Sequence, residues 1–334
     1  MSLTIRHLNA DSTFLLTFQP VRDSPPSPGL VPGSFSILFD PWLFGASELF
    51  HRTFNVSEHT IPSCIPSLTA LPEPDLVCIS QGKPDHCHRE TLCQLPADHT
   101  KTLILADPHA AKIIRSWRYF HPDKVQVLDK YDERKARRET LRRFTIPPIS
   151  TAGLPGEVTI AHIPSRRDLA GLHSAIGITY RAPTSAPPFA PAPSAMPLTP
   201  PDTPPTSDST CLRPFVRSHD RAISVLYAPH GVSYPHVQAY ASSHLVSEAA
   251  LPLTALLHSF DRVQNPWWLG GNVSSGVPGG LEIARNLLAR CWISAHDEEK
   301  VIGGVTAYPI RTRKYRPEEV QRMIQQDMGR LGTE

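Results

Sequence analysis

Short apolar runs, each closed by turn residues or by a histidine, recur from one end of this chain to the other. "LTIRHL", "STFLLTF" and "FSILFD" open the sequence, "DLVCIS" and "KTLILA" follow, and "AISVLYAPH" and "RCWISAH" complete the series. Their brevity and apolar alternation predict sheet strands, because a helix needs a longer stretch with apolar residues every third or fourth position. Helical spacing appears between them. "DPHAAKIIRSWRYF" (Asp107–Phe120) carries it behind an Asp-Pro start. Further helices are expected around Ser247–Ser259 and at Gly280–Ala289, and the charged run "DERKARRETLRRF" (Asp132–Phe144) reads as a solvated helix face laced with ion pairs. Strands and helices in this order predict an α/β protein with two sheets and helices outside them. Functional groups then belong on loops at the strand ends.

One stretch breaks the pattern. Eleven of the 36 prolines fall in Ala182–Pro214. Without apolar periodicity the stretch buries too little surface to offset the entropy of ordering it, and it reads as a disordered, partly polyproline-like insertion. Arg22–Ser34, "RDSPPSPGLVPGS", reads as a shorter insertion of the same kind. The remainder reads as one domain over residues 1–334.

Lys and Arg number 33 against 31 Asp and Glu, so charge supplies no pull toward nucleic acid or an anionic membrane. No basic segment followed by a long apolar core opens the chain, and no apolar run approaches the length of a membrane span. The six cysteines are accordingly expected as reduced thiols, the sequons at Asn55 and Asn272 as unused, and the protein as cytoplasmic.

Potential ligands concentrate in "VCISQGKPDHCHRETL" (Val77–Leu92), around Asp85, His86 and His88. Three segments share one layout, an apolar strand ending in His or Asp: "LVCISQGKPDHCH", "ISVLYAPHG" and "CWISAHDE". Strand ends converge at one edge of a sheet, so Asp85, His86, His230 and His296 are expected to meet in space. One carboxylate with two or three imidazoles suits zinc or a similar divalent ion.

These segments resemble the metallo-β-lactamase superfamily, on its lactonase-like and phospholipase D-like side. "ILFDPWL" (Ile37–Leu43) resembles the early strand and Asp-Pro turn of those branches. "SQGKPDH" (Ser80–His86) aligns with the His-x-His-x-Asp-His signature, "AISVLYAPHG" with the strand that delivers a bridging aspartate, and "CWISAHDE" with the strand ending in the last metal histidine. The resemblance implies an αββα four-layer sandwich. Gln81 and Lys83 stand where the family has the first two histidines, so site one is lost. Asp85, His86 and His296 match the site-two ligands, and His230 is the candidate replacement for the bridging aspartate.

The remaining site-one histidine would be His162, or less favourably His173. The implied protein is a hydrolase of a small-molecule substrate holding one divalent ion, zinc before iron or manganese, with Asp85 and His230 as catalytic groups. Two alternatives stay open: a metal-poor pseudoenzyme acting as a binding module through its proline-rich insertion, and a lyase or cyclase on the same fold.

Other residues carry weaker readings. Lys83 could bring its ammonium into the space of the lost metal, or could simply face solvent. Cys87 reads as a small buried residue and His88 as a supporting group at most. "WWLGGNVSSGVPGG" (Trp267–Gly280) reads either as a wall of the substrate cleft or as a packing corner, and it lacks the ending of a phosphate-binding loop.

Overall fold

The chain folds as a mixed α/β protein around two six-stranded sheets, and within each sheet the strands lie side by side in chain order. The computed structural model describes residues 1–331 except 21–31, 136–139, 167, 169, 186–220, 270, 306, 308 and 309. The first sheet consists of Ser2–His7, Phe14–Gln19, Phe35–Phe39, Leu76–Ile79, Leu103–Ala106 and Val125–Val127. Its first three strands pair antiparallel, and each later strand adds parallel. The second sheet consists of Leu141–Ile146, Gly156–Pro164, Ser174–Arg181, Ile223–Ala228, Ala255–His258 and Trp292–Ile293. It too starts antiparallel and ends with two parallel pairings.

Parallel neighbours need a crossover, and helices supply it. Pro108–Ser116 bridges Leu103–Ala106 and Val125–Val127, with Pro108 in its first turn and Asp107 accepting from the His109 and Ala110 amides. Tyr234–Tyr240 and Gly276–Asn286 perform the same service in the second sheet. The parallel strands Leu76–Ile79, Ile223–Ala228 and Ala255–His258 are buried along their whole length, as strands covered on both faces must be.

Three apolar clusters hold these elements. Phe14, Phe18, Ile37 and Phe39 of the first sheet share one core with Ile160, Ile178, Val225 and Tyr227 of the second. The opposite face of the first sheet packs Val77, Ile79 and Ile104 against Ala110, Ala111 and Ile114 of the helix Pro108–Ser116. The opposite face of the second packs Ala161, Leu226 and Leu256 against Val237, Tyr240 and Ile283. Two three-stranded sheets stand apart from the large ones: Ser47–Leu49, Asn55–Glu58 and Val301–Gly303 form one, and Arg262–Gln264, Asn272–Ser275 and Arg311–Arg313 the other.

Two helical expectations fail. Within Ser247–Ser259, residues Ala255–His258 form a buried parallel strand, and the helix lies earlier at Tyr234–Tyr240, continuing through Ala241–Leu245. Pro252 explains the break, since proline lacks the N–H a helix needs and forces its predecessor out of the helical region. Within Asp132–Phe144 the described part ends in the strand Leu141–Ile146. There Leu141 and Ile146 are buried, Arg142 donates to the Val127 carbonyl at 2.9 Å, and Arg143 pairs with Glu157 on the neighbouring strand. Pairing with that strand overrides local helix preference.

The strands flanking the proline-rich stretch pair directly, Ile176 opposite Tyr227 and Tyr180 opposite Ile223. Of that stretch, residues 186–214 lie outside the described residues, as do 22–31 of the shorter one. Among the described residues no helix is long and apolar enough to cross a membrane, and Cys64, Cys78, Cys87, Cys93 and Cys291 are free thiols.

Candidate metal centre

Asp40 follows the strand Phe35–Phe39 with its backbone at φ +40°, a region L-residues seldom adopt. That turn aims its carboxylate inward, where four donors meet it. The Ser80 amide donates to Oδ1 at 2.7 Å, while the Ser80 hydroxyl (2.5 Å), the Tyr227 hydroxyl (2.6 Å) and His86 Nδ1 (2.7 Å) donate to Oδ2. One fully buried carboxylate thus ties together the ends of three strands, Phe35–Phe39, Leu76–Ile79 and Ile223–Ala228. It also fixes the tautomer of His86, whose Nε2 faces away from Asp40.

His230 follows the strand Ile223–Ala228 in a turn closed by the Gly231 amide on the Ala228 carbonyl. Gly231 stands at φ +79°, and a Cβ there would lie 2.7 Å from His258 Nε2, so only glycine permits the turn. His230 Nδ1 donates to the Val273 carbonyl at 2.9 Å. His296 also has a left-handed backbone, φ +66°; its amide donates to the Asp11 carbonyl and its Nδ1 to Asp11 Oδ2, both at 3.0 Å.

Each of the three rings has therefore committed Nδ1 to a protein acceptor. One ring nitrogen from each lies within 4.8 Å of the other two, and His86 Nε2 stands 3.0 Å from His230 Nε2. Three histidines in this arrangement could hold a metal ion. Asp85 flanks them, its Oδ2 3.9 Å from His86 Nε2 and 3.8 Å from His296 Nε2.

Charge at the site is unbalanced toward anions. Among the described residues the only lysine or arginine nitrogen within 4.0 Å of Asp11, Asp40 or Asp85 is Lys300 Nζ, 2.8 Å from Asp11 Oδ2 and 4.0 Å from Asp85 Oδ2. Burial pushes the carboxyls of Asp11 and Asp85 up, but the neighbouring histidines and Lys300 outweigh it, and both titrate below the ordinary aspartate range. Burial pushes His86 down, yet Asp85 and Asp40 reverse the sign and raise it. His230 is held well below the usual imidazole range by burial and by the adjacent His296 and His86. His296 is lowered as well, chiefly by burial.

The centre opens onto a cavity of about 600 Å³ lined by Asp85, His230, His296 and Lys300 together with Phe50, just after the strand Ser47–Leu49, and Ile302 of the strand Val301–Gly303. Lys83 lines this cavity too. Val273 and Ser274, within the Trp267–Gly280 segment, form part of its wall, whereas Trp267 and Trp268 are exposed.

The structure brings together Asp85, His86, His230 and His296, four groups picked out from sequence. It leaves out His162 and His173. His162 sits on the strand Gly156–Pro164, its Nδ1 without a partner among the described residues. His173 lies nearer but is committed to backbone, Nδ1 to the Gly231 carbonyl and Nε2 to that of Asn272, both at 3.0 Å. The strand expected within "CWISAHDE" is confined to Trp292–Ile293, so His296 is aimed by Asp11 and not by strand alternation. His88 caps the short helix Arg89–Leu92, and Cys87 is buried with its thiol pushed up by desolvation. Asp11, Asp40, Tyr227 and Lys300 escaped the sequence reading of the site. The one available signal was Asp40 in the "FDP" turn. Comparison with protein-family models and with curated proteins finds no match to this chain.

Proposed function

We propose that the chain is a metal-dependent hydrolase in which His86, His230 and His296, with Asp85 beside them, hold one divalent ion next to a small-molecule substrate. The carrying observation is the 3.0 Å approach of His86 Nε2 and His230 Nε2 while both Nδ1 atoms are already donating. Two such nitrogens meet favourably only through a shared proton or a cation. Imidazole ligands with carboxylate support favour zinc, at about 2.0–2.1 Å from each nitrogen, over magnesium or calcium.

An ion held there would polarise a carbonyl or phosphoryl oxygen and lower the pKa of water beside it. Asp85, ionised at neutral pH and open to the cavity, is placed to take the proton. His230 is the other candidate for that role; with Nδ1 already donating to the Val273 carbonyl, it would have no free nitrogen if it held an ion at Nε2. Two sheets in chain order with helices on their outer faces support the reading as a metallo-β-lactamase-like αββα sandwich, with site one lost at Gln81 and Lys83.

A second reading, a metal-free binding module, is favoured by Lys300, which already brings positive charge to Asp11. Metal analysis of protein purified without a polyhistidine tag separates the two. About one equivalent of zinc is expected in the parent and a sharp loss in His230→Ala. A parent that retains no metal and binds none on titration rules out the hydrolase. Turnover across lactones, thioesters and phosphodiesters would then define the substrate, and elimination products there would point to a lyase.

A further inference from the structure

Lys300 sits in an unusual place for a lysine. Its side chain is 11 % exposed, and its ammonium lies over the Trp42 ring at 5.3 Å, 2.8 Å from Asp11 Oδ2 and 3.4 Å from His296 Nδ1. Since His296 Nδ1 donates to Asp11, it cannot also accept from Lys300; the two cationic or donor groups converge on the same carboxylate oxygen. The other oxygen of Asp11, Oδ1, is buried and has no hydrogen-bond partner among the described residues. Asp85 Oδ2 stands 4.0 Å from the same ammonium. Two carboxylates therefore bracket a cation whose place adjoins the three-histidine group, and one of them retains an unused oxygen.

We propose that the Lys300 ammonium occupies a second cation position, between Asp11 and Asp85, and thereby restricts the centre to a single metal ion. A tethered ammonium neutralises Asp11 without taking up a free ion, so the carboxylates stay paired at any metal concentration. Two carboxylates, one of them with a buried and unpartnered oxygen, are what a divalent ion would meet if the ammonium were withdrawn. The inference rests on the metal reading above, because it concerns how many ions that centre takes.

The test is calorimetric zinc titration of the chelator-treated full chain, comparing the parent with Lys300→Ala. One equivalent is expected in the parent and two in Lys300→Ala, with the second equivalent lost again in Lys300→Ala combined with Asp11→Asn. Methylammonium, supplying the missing charge in solution, should compete with the second zinc in Lys300→Ala and leave the parent unchanged. If Lys300→Ala loses its circular dichroism spectrum without metal, Lys300→Gln takes its place, since its side chain retains a stem against Trp42 and a donor for Asp11. One equivalent in both parent and variant overturns the proposal while sparing the metal reading. Two in both overturns it as well, and none in the parent removes the metal reading itself.

Discussion

His258 and the three-histidine group make an instructive pair. Both are largely buried, both lie at or beyond the ends of apolar strands, and every one of these rings except His86 is pushed toward neutrality. His258 donates Nδ1 to the Ser259 carbonyl at 2.8 Å, as His230 does to Val273. Its Nε2, however, meets no polar partner among the described residues, and glycines crowd it: a Cβ on Gly231 would lie 2.7 Å away. Trp292 packs edge-on to its ring at 5.8 Å between centroids. Burial and a fixed tautomer are thus not enough to make a site. What distinguishes His86, His230 and His296 is that their remaining nitrogens face one another with carboxylates behind them.

Substitution can widen or close that contrast. The largest effect is expected from His296→Asn, which accepts the left-handed backbone but is too short to reach the centre. Zinc affinity should fall by more than about a hundredfold, since a lost ligand counts for more than a lost supporting partner, while circular dichroism stays that of the parent. Unchanged affinity would place the metal elsewhere.

Next comes the acid behaviour of His258. Its folded value, pushed down to about 4 by burial, lies below the unfolded value of 6.5, so the unfolded chain takes up the proton first as pH falls. Stability is full above pH 6.5 and is lost toward pH 4, by roughly 2 kcal/mol between 6.5 and 5. Urea unfolding of the metal-free parent against His258→Gln should show that difference in slope; parallel pH profiles would show that His258 is not neutral by burial. The smallest effect belongs to Asp40→Asn, which leaves the imidazoles in place but weakens the anchor of His86. About a tenfold loss of zinc affinity is expected by competition with a chromophoric chelator, and His258→Gln should show none.

Much of this layout was legible because each of His86, His230 and His296 follows a run of apolar residues, and strand ends collect at a sheet edge. The strands Ser2–His7, Phe14–Gln19 and Phe35–Phe39 were legible for the same reason. Asp11 was not, since an aspartate in "NADS" has the look of a turn residue and Asn9 does form that turn, accepting from the Asp11 and Thr13 amides. Lys300 was hidden inside "HDEEK", where a charge run reads as solvated surface. His162 misled because its place in sequence suits a ligand, while its strand carries it away from the group. Local pattern reveals what a residue can do; it cannot reveal which distant carboxylate will turn toward it.

The contact of Asp11 with His296 and Lys300 joins positions 285 and 289 residues apart. A ribosome delivers Asp11 some 285 residues before the first of its two partners, so over that interval the carboxylate waits without its counter-charges. Both sheets can begin to assemble in that interval, as chains fold from the amino end during translation, but the centre cannot. A chain halted before His296 would carry the apolar strands of both sheets and still lack the ring and the ammonium that Asp11 holds.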